Sequence, residues 1–199
     1  MATPSHLQAT QEDIEHFKQI PWCLKHLEPP NTDLVISKAY TRGRKPKNED
    51  TLFSVTINSP GTLPHFIFFY PRPTDPRALV PEVKALITLG DDLNGHPGIS
   101  HGGMVAAIFD EVLGYAAPGV RMISGENRGT SGTPGPSYVT AYLNTTYLKP
   151  VRTPATVMVV SRLVRTEGRK IWVEGHMEDG EGVKLAKADS LFVETKLKL

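Results

Sequence analysis

The sequence predicts an α+β fold in which a mainly antiparallel sheet wraps around one buried helix. Residues 104–117 (MVAAIFDEVLGYAA) form the strongest helix pattern, and they are apolar around most of the helical circumference. A helix with this pattern is buried on more than one side. Strand-like segments lie both before and after it in the chain, so a sheet that curves around the helix is the arrangement that covers it.

The segments before this helix are predicted from their periodicity and composition. Residues 9–27 have apolar residues at helical spacing, and Pro21 is expected to interrupt or restart that helix. Residues 31–50 are polar and basic, which predicts a surface loop. Period-two alternation and aromatic content predict strands at 51–58, 65–70 and 83–89.

Four strands are predicted after the helix, at 138–148, 155–164, 170–178 and 183–194. The turn signals Lys149-Pro150, Glu167-Gly168 and Asp179-Gly180 space them like the hairpins of an antiparallel meander. Residues 118–137 hold five Gly and three Pro and are predicted to be a flexible insertion. We therefore divide the chain into an N-terminal helical extension and loop, 1–50, and a main domain, 51–199.

Composition excludes several classes of protein. The 199 residues carry 22 Lys+Arg against 21 Asp+Glu, and this balance gives no field that would attract nucleic acid or an anionic membrane surface. We expect no membrane span, because no run of about 18 apolar residues occurs. The single cysteine, Cys23, allows no intrachain disulfide and favours a reducing compartment. We expect a cytoplasmic location, with mitochondrial and peroxisomal locations left open.

Gly102 and Gly103 open the buried helix, where the first amides have no intrahelical acceptor and lie at the positive end of the helix dipole. Without a Cβ, a glycine lets a ligand oxygen approach these amides closely. An oxyanion that develops from a thioester carbonyl would be stabilised there. The alternative is that the two glycines only permit the turn into the helix.

Asp110 lies in the middle of the apolar helix, where an unpaired carboxylate is costly to bury. It follows Gly103 by seven residues, which is about 10 Å along the axis. The two positions of one chain are therefore too far apart to act on the same carbonyl, whereas a symmetric dimer could bring them together. A buried ion pair is the alternative role for Asp110, and Glu111 is expected to be the ion-paired or solvated neighbour.

The pattern His-Gly-Gly, six intervening residues and Asp, followed by VTAYLNTTYLKPV, resembles the hotdog-fold acyl-CoA thioesterases of the phenylacetate-pathway and thioesterase-superfamily-member type. The resemblance extends from about residue 83 to residue 195, which is more than half of the chain. It implies a hotdog fold, in which the antiparallel sheet wraps around the central helix. The insertion at 118–137 departs from the compact members of the family and leaves the acyl-chain preference open.

The resemblance also implies roles for individual residues. Asp110 matches the catalytic carboxylate, as general base or direct nucleophile, and Thr140 matches the hydroxyl that positions the attacking water. The Gly102 amide matches the oxyanion donor, Gly103 allows the close approach, and His101 orients the thioester or shapes the loop. Candidate substrate-binding residues are Asn94 and Gly103 and, for the CoA phosphates, Lys149 and Arg152, although basic residues at strand ends are often only solvated.

The expected function is hydrolysis of acyl-CoA thioesters to free acid and CoA, within fatty acid metabolism. No metal or other cofactor is expected, since CoA is part of the substrate and the pair His96 and His101 lacks a third ligand nearby. The family's active site lies at a dimer interface, so we expect a homodimer with shared sites that assembles further into a homotetramer. The alternatives are a non-catalytic acyl-CoA-binding hotdog module and a hotdog hydratase or dehydratase, which would require an Asp/His pair.

Overall fold

The computed structural model describes residues 9–30, 32–45, 48–75, 80–116 and 138–195. Its helices are α1 (Gln11–Lys18), α2 (Pro21–Leu27) and α3 (Gly102–Ala116). Its strands are β1 (Leu34–Lys38), β2 (Phe66–Pro71), β3 (Glu82–Leu89), β4 (Asn94–His96), β5 (Ile99–Ser100), β6 (Tyr138–Tyr147), β7 (Ala155–Glu167), β8 (Lys170–Glu178) and β9 (Lys184–Glu194).

Seven strands form one antiparallel sheet in the order β1-β2-β3-β7-β8-β9-β6. The strands β4 and β5 form a separate short hairpin just before α3. Helix α3 packs against one face of the sheet, and its buried side chains form the main core with those of the strands. This arrangement of a large antiparallel sheet around a central helix is the predicted α+β hotdog fold.

Helices α1 and α2 cover the opposite face of the sheet. Phe17 and Cys23 are fully buried, and Leu27 is nearly so. They pack in a second core against the strand residues Ile67, Phe69, Leu86, Met158 and Val160. The prediction of helix in 9–27 with a restart at Pro21 is confirmed, since Pro21 is the first residue of α2.

The prediction that 31–50 is only a surface loop is wrong, because β1 lies within it. This strand pairs in antiparallel register with β2, so that Val35 lies opposite Tyr70. Alternate residues of β1 are buried, which places a five-residue strand at one edge of the sheet. The polar residues that follow β1 hide this short apolar run in the sequence. The division of the chain at residue 50 stays a prediction, although β1 belongs to the sheet.

The prediction of a strand at 51–58 is also wrong. Residues Leu52–Thr56 form a π-helical turn, closed by a 2.9 Å hydrogen bond from the Ile57 N–H to the Leu52 carbonyl. A strand would place Phe53, Val55 and Ile57 on one face. Phe53 and Ile57 are buried, whereas Val55 is 44% exposed, so burial here follows a helical spacing of four.

The remaining strands agree with the prediction to within a few residues, but one connection differs. The residues Lys149-Pro150 do not make a hairpin, because β6 pairs with β9 and β7 pairs with β3. The chain between β6 and β7 therefore crosses two strands of the sheet. The predicted insertion at 118–137 lies outside the described residues. None of the helices that the structure describes is long and apolar enough to cross a membrane.

Candidate active site

The segment that leads into α3 is held by the hairpin of β4 and β5. The His101 N–H donates to the Leu93 carbonyl at 2.7 Å, and the His101 ring lies against Gly95, where a Cβ would approach the ring carbon Cδ2 to 3.0 Å. The His101 Nδ1 accepts a 3.0 Å hydrogen bond from the Gly103 N–H. His101 thus satisfies one of the free amides in the first turn of α3, as a capping side chain does.

Gly102 is left with its amide available. Among the described residues no acceptor takes the Gly102 N–H, while Gly103 is already bonded to His101. On its other side, the Tyr147 hydroxyl donates to the Gly102 carbonyl at 2.8 Å. A Cβ on Gly102 would lie 3.4 Å from the Tyr147 ring and hydroxyl. We call His101, Gly102, Gly103 and Tyr147 the glycine half-site.

The other predicted substrate-binding residues lie on the segment that follows β6 or on the hairpin against which it packs. The Ser100 N–H donates to the Val151 carbonyl at 2.9 Å, and Arg152 makes a β-bridge with Ile99. The Thr153 hydroxyl donates to the side-chain carbonyl of Asn94, which leaves the Asn94 amide hydrogens for a ligand. Within the described ranges, neither Lys149 nor Arg152 has a carboxylate at ion-pair distance, and both are exposed.

Asp110 and Thr140 meet on the side of α3 that faces β6. The Thr140 Oγ1 donates to the Asp110 Oδ1 at 2.7 Å. No Lys, Arg or His of the described part of the chain forms an ion pair with Asp110, so the alternative of a buried ion pair has no support there. We call Asp110 and Thr140 the carboxylate half-site.

A β-bulge in β6 allows one strand to serve both half-sites. Thr140 and Tyr147 are seven positions apart, so regular alternation would point them to opposite faces of the sheet. The register of β6 against β9 shifts between Thr140 and Tyr142, which leaves Ala141 as an extra residue. The shift restores Thr140 to the face of Tyr147, and both side chains contact α3.

The two half-sites of one chain do not meet. Gly103 and Asp110 remain separated by seven residues of continuous helix, which is about 10 Å of axial rise. The structure therefore joins Asp110 with Thr140, and His101 with the glycines, but it does not bring these two groups together within one subunit.

Glu111 differs from its expected role as an ion-paired or solvated residue. Its carboxylate accepts a hydrogen bond from the Thr41 hydroxyl, in the turn after β1. The pKa of Glu111 is raised to about 7, mainly by burial; the Thr41 hydrogen bond and Lys45 oppose the rise, and the nearby Asp50 and Asp110 add to it. The sequence did not indicate this contact, since Thr41 lies 70 residues away on the segment predicted to be a loop.

Tyr147 was also missed, although it lies in the stretch VTAYLNTTYLKPV that carries the resemblance. Regular alternation from Thr140 assigns it to the wrong face, and the bulge is not visible in the sequence. No group of three or more His, Cys, Asp or Glu that could hold a metal ion occurs among the described residues.

Comparison with known families agrees with this architecture. Residues 97–186 match the model of the Thioesterase superfamily, a range that contains α3, β6, β7, β8 and the start of β9. The match agrees with the hotdog fold that the sheet and the central helix define. This part of the chain is therefore similar to the thioesterase superfamily.

Three individual proteins illustrate what the chain is similar to. The acyl-coenzyme A thioesterase THEM4 of Mus musculus is 35% identical over 107 residues, which is 52% of this chain and 39% of that protein. Verlamelin biosynthesis protein B of a Lecanicillium species is 24% identical over 215 residues, covering 96% of this chain and 91% of the relative. A crystal structure of a thioesterase superfamily protein is 26% identical, with a TM-score of 0.48, and covers 65% of this chain and 56% of that one.

Proposed function

We propose that the protein hydrolyses acyl-CoA thioesters to the free acid and CoA. The observation that carries the proposal is the pairing of a hydroxyl with a carboxylate on the central helix of a domain that is similar to the thioesterase superfamily. The mouse relative's name as an acyl-coenzyme A thioesterase supports CoA esters as the substrate class. The roles of the individual residues are part of the proposal.

The glycine half-site stabilises the negative charge that develops on the substrate. The thioester carbonyl oxygen accepts a hydrogen bond from the Gly102 N–H, which lies at the positive end of the α3 dipole. Negative charge grows on this oxygen as the carbonyl carbon becomes tetrahedral, so the amide stabilises the transition state more than the bound substrate. His101 holds the neighbouring Gly103 amide, and this fixes the first turn of the helix.

The carboxylate half-site supplies the base. Thr140 donates to one Asp110 oxygen, which leaves the other oxygen to take a proton from water. The water oxygen bonds to the carbonyl carbon as its proton moves to Asp110. The tetrahedral intermediate then collapses, the C–S bond breaks, and the proton returns from Asp110 to the departing CoA sulfur. The products are the free acid and CoA thiol, and Asp110 is again ionised.

A homodimer with shared sites reconciles this chemistry with the distance along α3. Asp110 and Thr140 of one subunit would face Gly102 of its neighbour across a two-fold interface. β6 forms one edge of the sheet in the described part of the chain and exposes Val139 and Tyr142. An exposed apolar edge favours association with another chain. Assembly into a tetramer, a cytoplasmic location and a place in fatty acid metabolism remain predictions.

A thiol-release assay beside a binding titration tests the proposal. The purified protein is incubated with acyl-CoA esters from short to long chains and with an aryl-CoA, and free CoA is detected with a chromogenic disulfide. Cys23 will give little background, because it is fully buried and burial raises the pKa of its thiol to about 12. Release of CoA with at least one ester supports the enzyme. Tight CoA-ester binding with no thiol released would instead identify a non-catalytic module.

A further inference from the structure

Tyr147, the last residue of β6, makes two contacts with the residue to which we assign the oxyanion amide. Its hydroxyl donates to the Gly102 carbonyl at 2.8 Å, and its ring lies 3.4 Å from the position of a Cβ on Gly102. The contact joins residues 45 positions apart in the chain. Tyr147 thus holds the first residue of α3 both by its carbonyl and at its Cα.

Burial does not account for this placement. Tyr147 is 53% exposed, so its ring contributes little to the core. The hydrogen bond is made to a helix carbonyl, which has a second lone pair for its own helical bond. A surface tyrosine with its hydroxyl fixed on one backbone carbonyl restricts the orientation of that peptide, and with it the orientation of the adjacent Gly102 N–H.

The same strand holds the other half-site. Thr140 contacts Asp110, Tyr147 contacts Gly102, and the bulge at Ala141 places both side chains on one face of β6. β6 therefore positions both the base and the oxyanion amide from its two ends. A small error in the direction of a catalytic N–H donor lowers the rate. The donor stabilises the transition state only if it points at the position that the oxyanion will occupy, which differs from that of the ground-state carbonyl oxygen.

We propose that Tyr147 is a positioning residue of thioester hydrolysis, which holds the carbonyl and the Cα of Gly102 so that the N–H of the same residue points at the developing oxyanion. The inference rests on the proposed function. Tyr147 therefore affects the chemical step and does not contact the substrate. Its hydroxyl contributes through the hydrogen bond to Gly102, and its ring limits the movement of the Gly102 backbone.

Three variants separate the two contacts. Tyr147→Phe removes the hydroxyl and keeps the ring, whereas Tyr147→Leu removes both. Thr146→Val is the control, because Thr146 precedes Tyr147 on the same strand, is exposed, and makes no side-chain hydrogen bond within the described residues. We expect Tyr147→Phe to lower kcat by about three- to tenfold with KM within about twofold of wild type. Tyr147→Leu should lower kcat further, and Thr146→Val should change neither constant.

A double-mutant cycle distinguishes positioning from a general structural role. Gly102→Pro removes the amide donor at a helix position that accepts proline. If Tyr147 acts through that donor, Tyr147→Phe should lower kcat in the wild-type background and cause no further loss in Gly102→Pro. Equal losses in both backgrounds, or an unchanged kcat in Tyr147→Phe, would overturn the inference while leaving hydrolysis intact. Absence of thiol release by the wild-type protein would overturn the proposed function itself.

Discussion

The Thr140 hydroxyl donates to the Asp110 carboxylate with 2.7 Å between Oγ1 and Oδ1, and this bond joins the edge strand β6 to the central helix. The bulge at Ala141 brings the hydroxyl to the correct face, so the pairing is a property of the folded sheet and not of regular strand alternation. A carboxylate held by one hydroxyl keeps a second oxygen for proton transfer.

Replacing Thr140 tests whether its hydroxyl serves the base. Thr140→Val keeps the shape of the side chain and removes the donor, so Asp110 loses the bond that orients it. We expect kcat for thiol release to fall by about tenfold or more, and Thr140→Ser to stay within about threefold of wild type. Thr146→Val is the control, since Thr146 is an exposed residue of the same strand. Full turnover by Thr140→Val would remove Thr140 from the mechanism.

Mixed dimers test whether the site is shared. Asp110→Asn removes the base and Gly102→Pro removes the oxyanion amide, so each homodimer should keep only about a hundredth of the wild-type turnover or less, which a sensitive assay still measures. The mixed dimer, isolated with two different affinity tags, keeps one site with both groups intact. We expect about half of the wild-type turnover per dimer, because one of two sites is complete. A mixed dimer as inactive as its parents would mean that both groups act within one subunit.

The cap at the start of α3 is tested by Gly103→Ala. The new methyl group would lie 3.0 Å from the His101 Nδ1, so the ring must move away from the Gly103 amide. Both Gly103→Ala and Gly114→Ala gain the helix propensity of alanine, but only Gly103→Ala loses the cap, so we expect it to be about 1 kcal/mol less stable than Gly114→Ala and to have a lower kcat. Gly114→Ala, near the other end of α3, makes only an ordinary contact with the Phe192 ring and should keep full turnover. Thermal unfolding and steady-state rates measure both effects, and an unchanged kcat in Gly103→Ala would contradict a role for the cap in catalysis.

The raised pKa of Glu111 predicts that the stability of the fold depends on pH. Burial raises the pKa of its carboxyl from the ordinary 4.5 to about 7 in the folded chain. Between these values the folded state holds a proton that the unfolded state has lost, so stability must fall as pH rises from about 4.5 to 7. Glu111→Gln removes this term and keeps an acceptor for Thr41.

Comparing Glu111→Gln with the wild type separates the contribution of Glu111 to the free energy of unfolding from the contributions of all other titrating groups. The difference in the free energy of unfolding, wild type minus variant, should decrease by up to about 1.4 kcal/mol per pH unit across the window. Urea unfolding at several pH values measures it. A difference that stays constant between pH 5 and pH 7 would mean that Glu111 titrates normally.

Much of the fold follows from local pattern. The β-prone segments between turn signals predict six of the strands, the apolar helix predicts α3, and Pro21 marks the restart of the N-terminal helix. The misses have physical causes. β1 is short and depends on pairing with β2, and the alternating residues 51–58 are bent into a π-turn because Phe53 and Ile57 both reach the core. Such tertiary contacts are not encoded in the local sequence pattern.

Of the candidate site, too, only the part that depends on local sequence could be predicted. The residues that form the helix start and the carboxylate could be predicted, because His101, Gly102 and Asp110 lie close together in the chain. The distance argument from helix rise is also purely local and holds in the structure. Tyr147 and the Thr41 partner of Glu111 could not be predicted, since the first depends on a bulge and the second on a contact across 70 residues.

Thiol release by Asp110→Asn tests the central claim most directly. Asparagine keeps the size of the side chain and an acceptor for Thr140, but it cannot take a proton from water. Asp189→Asn is the control, because Asp189 is a strand carboxylate that accepts only from Asn144 among the described hydrogen bonds. We predict that Asp110→Asn binds the CoA ester, unfolds at the wild-type temperature and releases thiol at least about a hundredfold more slowly, while Asp189→Asn turns over normally. Undiminished thiol release by a folded Asp110→Asn variant would contradict the account.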